Sequence, residues 1–130
     1  MEPNKLAEIA VSALEDIKAR DIVVIDVSPL TSLFDRMIIA SADSTRQTKA
    51  LALSVQEKVK AAGGIIYGME GEQSGEWILV DCGDVVVHIM QPAVRQYYNL
   101  EELWGGELPS PGRRDTEHVK SPSPFSSPSI

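Results

Sequence analysis

Between Glu76 and Met90 the chain holds two apolar runs of strand length, EWILVDC and VVVHIM, joined by Gly83-Asp84. Gly-Asp is tight-turn chemistry, so the spacing predicts a β-hairpin over these residues. Any fold of this chain must contain that ladder and cover at least one of its faces. Strand alternation puts Trp77, Leu79 and Asp81 on one face and Ile78, Val80 and Cys82 on the other. If Ile78, Val80 and Cys82 point inward, Trp77 and Leu79 stand exposed beside acids, like an interface anchor with a charged rim. If Trp77 points inward, it is core. Periodicity alone leaves both open.

The other elements follow from local pattern. Leu6, Ile9, Ala10, Ala13, Leu14 and Ile17 recur at helical spacing, predicting a helix from Asn4 to Ala19. Asp21 follows as a breaker. Ile22 to Val27 is a β-branched strand stopped by Ser28-Pro29, and Leu30 to Phe34 is a loop packing inward. Arg36 to Ala42 is a second strand. Ser44 opens a second helix with a capping box, in which Gln47 reaches back to the Ser44 amide. Leu51, Ala52, Val55, Val59 and Ala62 form its stripe, and Gly63-Gly64 ends it. Ile65 to Met69 is a short strand, and Glu70 to Gly75 a polar loop. Pro92 starts a short helix through Tyr98. Leu100, Leu103 and Trp104 pack the chain end back. The order α-β-β-α-β-β-β-α predicts an α/β (α+β) domain, with helices on one mixed sheet of about five strands. The link from Ala42 to Ile65 is long enough for a parallel crossover.

The chain has 130 residues, enough for one domain. Five of its eight prolines and six serines fall in residues 109–130, predicting a flexible tail after a folded unit of residues 1–108. A lone cysteine, Cys82, excludes an intrachain disulfide and fits a reducing cytoplasm. No apolar run is long enough to span a bilayer, and the charged start lacks a signal-peptide core. Twelve basic and nineteen acidic residues give a net charge of −7. That argues against nucleic-acid binding as the main activity. Residues 1–108 alone carry −8, from nine basic and seventeen acidic residues. From Ala61 to Val94 there is no Lys or Arg, while Glu70, Glu72, Glu76, Asp81 and Asp84 are present. Either the imbalance is chance or the segment forms a face that attracts a basic partner.

Catalytic chemistry finds little support. Cys82 lies between Asp81 and Asp84, which raise a thiol pKa and suit a structural cysteine. His88 inside an apolar strand reads as a hydrogen-bonded sheet residue, and His118 falls in the tail. No Cys or His pair has metal-ligand spacing. Asp26, Asp81 and Asp84 would have to converge to hold a divalent cation with a nucleotide, and no Lys or Arg is near to clamp phosphates. Gly68 to Gly71 matches no phosphate-binding fingerprint, and Ser44-Thr45-Arg46 reads more simply as a cap than as an anion site. No cofactor is expected.

The stretch GEWILVDCGDVVVHIMQPAVRQYYNLEELW, Gly75 to Trp104, resembles the signature of the ribosomal silencing factor family, RsfS, also called Iojap or YbeB. IDVS at Ile25 to Ser28 and IIASADSTRQTKAL at Ile38 to Leu51 match the family's first half. The resemblance spans Leu6 to Trp104 and leaves the tail outside. It implies a fold related to nucleotidyltransferases without their catalysis. It also implies a non-enzymatic protein that binds the large ribosomal subunit through its ribosomal protein fourteen. Binding there blocks subunit joining by steric exclusion and represses translation when nutrients are short. An acidic face suits such a basic protein partner and is repelled by bare RNA. The expected contacts are Trp77, Leu79 and Asp81 as a face, with Glu70, Glu76 and Asp84 as rim charges. Trp77→Ala and Asp81→Lys are expected to lose binding with the fold intact. The competing readings are a metal-dependent nucleotide enzyme using Asp26, Asp81 and Asp84, and a homodimeric adaptor.

Overall fold

The chain begins with helix α1, Pro3–Asp16, with Pro3 in the first turn, where a missing N–H costs nothing. The computed structural model describes residues 1–104, so the expected boundary after residue 108, the tail and His118 lie outside the described residues. Helix α1 stops short of Ala19. Lys18 turns left-handed at φ 63°, and the amides of Lys18 and Ala19 close back on the Glu15 and Leu14 carbonyls, both at 3.0 Å. That is a Schellman closure with lysine in the glycine position.

Strand β1, Arg20–Asp26, therefore starts earlier than expected. Asp21 is not the helix breaker expected, since the helix has already closed at Lys18. It sits inside the strand at φ 53°, where the pairing register slips between Arg20 and Val23. Strand β2 covers Arg36–Ser41 and helix α2 Thr45–Ala61. The α2 cap differs from a standard box. Ser44 Oγ accepts from the Gln47 amide at 3.1 Å, but Gln47 Oε1 accepts from the Asp43 amide at 2.9 Å, one residue further back than expected. Gln47 Nε2 also donates to the Ile17 and Lys18 carbonyls, clipping the start of α2 to the end of α1. Ala62 faces solvent rather than joining the stripe, and Gly63 takes φ 95° to end the helix. Strand β3 is only Gly68–Glu70, with Ile65 and Tyr67 exposed before it. Strand β4 is Trp77–Asp81 and β5 Val85–Met90. Their turn is closed by Cys82 N–H to the Val85 carbonyl at 2.9 Å, with Gly83 at φ 93° and its amide held by Asp81 Oδ1 at 2.9 Å. Helices α3, Pro92–Tyr98, and α4, Leu100–Trp104, complete the described chain.

One mixed five-stranded sheet runs β1-β2-β5-β4-β3. Only β2 and β5 pair in parallel, and the other neighbours are antiparallel. By these directions β3 runs with β2, so α2 is a parallel crossover. It skips two positions that the hairpin then fills. On one sheet face α1 and α2 pack Leu6, Leu14, Leu51, Val55 and Val59 against Ile38, Ile78, Val80, Val87 and Ile89. These residues supply the main core, since burying a large aliphatic side chain is worth about 2 kcal/mol. On the other face a second, smaller core gathers Val27, Met37, Ile39, Trp77, Met90 and Leu100, with Phe34 and Trp104 half-buried beside it. The chain end packs back through Leu100 and Trp104, whereas Leu103 stays exposed.

Candidate functional site

The second core covers only part of its sheet face. Cross-strand pairing places Glu70 opposite Leu79, Leu79 opposite His88, and Asp81 opposite Val86. Paired residues project on the same side, so Glu70, Leu79, Asp81 and Val86 share this face. Leu79, Asp81 and Val86 are half-buried and Glu70 is exposed. The result is a partly open sheet surface with an apolar centre and carboxylates at its margin. Asp84 lies in the hairpin turn next to Asp81. Its carbonyl accepts from the Asp35 and Arg36 amides at 2.7 and 3.0 Å, fixing the turn to the start of β2. Glu76 is exposed but sits before β4, at the end of the strand away from Asp81, where its carbonyl accepts from the Gln91 amide at 3.0 Å. The structure thus puts Glu70, Leu79 and Asp81 on one face, with Asp84 in the adjoining turn, and sets Glu76 apart.

Trp77 is not an exposed anchor. It is 4% exposed, although Ile78, Val80 and Cys82 all point into the main core. Both faces of β4 are covered at this end, the Trp77 side by α3 and α4. The Trp77 ring packs against Tyr98 at 4.7 Å between centroids, the two planes tilted by 51°, and its indole N–H donates to His88 Nδ1 at 2.9 Å. Trp77→Ala is therefore a core deletion, expected to cost stability and not only binding as it would at an exposed residue.

The exposed aromatics here are ones that sequence reading passed over. Tyr97 is 80% exposed and packs edge-on against Tyr98 at 4.9 Å, and Tyr98 is 38% exposed. Two adjacent tyrosines on a short helix in a chain with only three were the available signal. The face therefore runs from these tyrosines, over buried Trp77 and His88, to Leu79 and the acids.

Burial holds His88 neutral, its pKa pushed down to about 4. It is the hydrogen-bonded sheet histidine expected from its strand position. Burial, reinforced by Asp81, pushes the Cys82 thiol up to about 12, as expected of a structural cysteine. The three aspartates proposed for a metal do not converge. Asp26 is on β1 and Asp81 on β4, three strand spacings apart in the sheet order, about 14 Å. Asp26 is also committed to the Ser28 amide and hydroxyl, at 3.0 and 2.7 Å, and lies 3.4 Å from Arg36. Among the described residues no group of three or more His, Cys, Asp or Glu side chains is placed to hold a metal ion.

Comparison with known proteins gives the class. The sequence model described as ribosomal silencing factor during starvation matches residues 1–129. The ribosomal silencing factor RsfS of Chromobacterium violaceum is 62% identical over 110 residues, covering 85% of this chain and 90% of that protein. The RsfS of Zymomonas mobilis is 38% identical over 104 residues, covering 80% and 78%. A crystal structure of a Chromobacterium violaceum protein superposes with a TM-score of 0.80 at 58% identity, covering 90% of this chain and 98% of that one. The chain belongs to the ribosomal silencing factor family.

Proposed function

We propose that this chain binds the large ribosomal subunit through its ribosomal protein fourteen and blocks joining of the small subunit by occupying the surface it needs. Translation is thereby repressed when nutrients are limiting. The family membership supports the ribosomal role, and the half-open face of β3, β4 and β5 carries the mode of contact. Leu79 and Val86 supply the apolar centre, Tyr97 and Tyr98 the aromatic anchors, and Glu70, Asp81 and Asp84 an acidic margin. Glu76 adds a more distant rim charge, and Trp77 supports Tyr98 from below. An apolar centre with charged edges is the anatomy of a protein interface. The sign of the charge selects a basic protein surface over bare phosphate. Steric occlusion needs no chemistry, and a repressor of this kind would act on ribosomes in the cytoplasm. Self-association through the same face would compete with docking, and a dimer would have to open first.

The test is co-sedimentation with purified large and small subunits, followed by addition of the missing subunit at several salt concentrations. The expected result is binding to large subunits alone, loss of subunit joining, and weaker binding at high salt. Binding to neither subunit would refute the proposal.

A further inference from the structure

Between Ala61 and Trp104 the chain has one basic residue, Arg95, against seven acids, Glu70, Glu72, Glu76, Asp81, Asp84, Glu101 and Glu102. That one cation is turned inward, its side chain 11% exposed. Its Nε and Nη2 donate to the two carboxylate oxygens of Glu101 at 3.1 and 2.9 Å, and Nη1 donates to Ser41 Oγ at 2.7 Å. Ser41 ends β2 and is buried. One guanidinium thus ties α3, α4 and the sheet together. The tie matters because α3 fully buries none of its own residues. Half-buried Val94 and the tilted Tyr98–Trp77 ring contact also hold it to the second core. Asn99, at φ 49°, turns the chain from α3 into α4 and so brings Glu101 back to Arg95.

We infer that Arg95, clamped by Glu101 and Ser41, is the positioning residue of the docking face. It sets α3 so that Tyr98 stays on Trp77 and Tyr97 stands at the Trp77 end of the open sheet face. It also withdraws the only positive charge of residues 61–104 from that surface. The inference rests on the reading that this face meets a basic surface of the large subunit. Arginine is required because a planar fork reaches both Glu101 oxygens and Ser41 at once, which a lysine ammonium does not reproduce.

The test compares Arg95→Lys, Arg95→Met and Glu101→Gln in the full chain with Tyr98→Ala and Asp81→Lys. Affinity for purified large subunits is read beside thermal midpoint, near-ultraviolet circular dichroism and hydrogen exchange. The three clamp variants are expected to bind about tenfold more weakly at temperatures where each is fully folded. Exchange should quicken in residues 92–104 while α1 and α2 keep their protection, and the Trp77–Tyr98 dichroism should fade. Arg95→Lys should fail to restore binding although it keeps the charge. A purely structural role predicts lower midpoints with affinity unchanged below them, and that result overturns the inference. Wild-type affinity in the clamp variants, with binding lost in Tyr98→Ala and Asp81→Lys, removes Arg95 but keeps the docking face. Wild-type affinity in all five removes the docking face itself and this inference with it.

Discussion

Trp77 and His88 meet diagonally across the β4–β5 ladder, the indole N–H donating to Nδ1 of the imidazole at 2.9 Å. The bond requires Nδ1 to be free of a proton, so His88 is neutral with its hydrogen on Nε2. In the unfolded chain the same histidine takes up a proton near pH 6.5, and in the folded one only near 4. Between those values the unfolded state holds more protons, so stability rises with pH. The His88 contribution is complete above pH 6.5 and is lost as the pH falls toward 4. With about 1.4 kcal/mol per tenfold change in proton affinity, the loss is on the order of 3 kcal/mol. Urea unfolding from pH 7 to pH 4.5 should show it. In His88→Gln, which accepts the same bond without titrating, the slope over that range should flatten.

Trp77→Ala should cost about 3–5 kcal/mol, the ordinary range for deleting a buried aromatic. It also leaves His88 without its donor. Calorimetry checks the size, and a loss below 1 kcal/mol would contradict the burial of this ring.

Leu79→Lys and Asp81→Lys change half-buried side chains on the open face and spare both cores. The unfolding free energy of Leu79→Lys should stay within about 1 kcal/mol of wild type, as for most surface changes, and Asp81→Lys should lose about 1 kcal/mol more, because it gives up the bond to the Gly83 amide. Their affinity for large subunits should fall at least tenfold, because each puts a cation where a basic surface docks. Glu76→Lys, at the far end of β4, should weaken binding less. Equal losses at Glu76 and Asp81 would place the contact elsewhere.

Cys82 is buried and its thiol is pushed up to about 12, so it should resist alkylation in the folded protein at pH 8. Labelling should appear only with unfolding, and its rate in denaturant should track the unfolded fraction. Rapid labelling of the native protein would mean that the β4–β5 end opens locally.

Ser44→Ala should destabilise by about 1 kcal/mol, the usual value of an N-cap. Gln47→Ala should cost at least as much, because it breaks the Asp43 contact and the clip to Ile17 and Lys18 together. Thermal midpoints of the two single variants and the double variant would measure their coupling.

Local pattern made most elements legible. β5 and α3 fall on their expected residues, and the β4–β5 turn on Gly83-Asp84. The departures are places where a non-local contact outweighed local preference. Nothing near Lys18 or Asp21 in sequence announces a left-handed residue, yet joining α1 to β1 requires both. β3 keeps only three residues because its ladder with β4 pairs Gly68 to Glu70, and Tyr67 before it adds a single amide bond to the Asp81 carbonyl at 2.8 Å. Of the site, Leu79, Asp81, Glu70 and Asp84 could be grouped from alternation and charge. Tyr97, Tyr98 and Arg95 could not, since what matters about them is their contact with Trp77, Glu101 and Ser41.

By itself the sequence determined the periodicities, the turn chemistry, the acid-only stretch and the family. These depend on residues close together in the chain, or on motif identity. The tertiary structure decided which side of β4 meets solvent. Alternation says that a strand has two unlike faces, but not how many layers will cover them. Helices α3 and α4, folding back ten or more residues later, bury Trp77 on the face that alternation left open. They stop short of Leu79, and that unfinished coverage leaves open the sheet face proposed for docking.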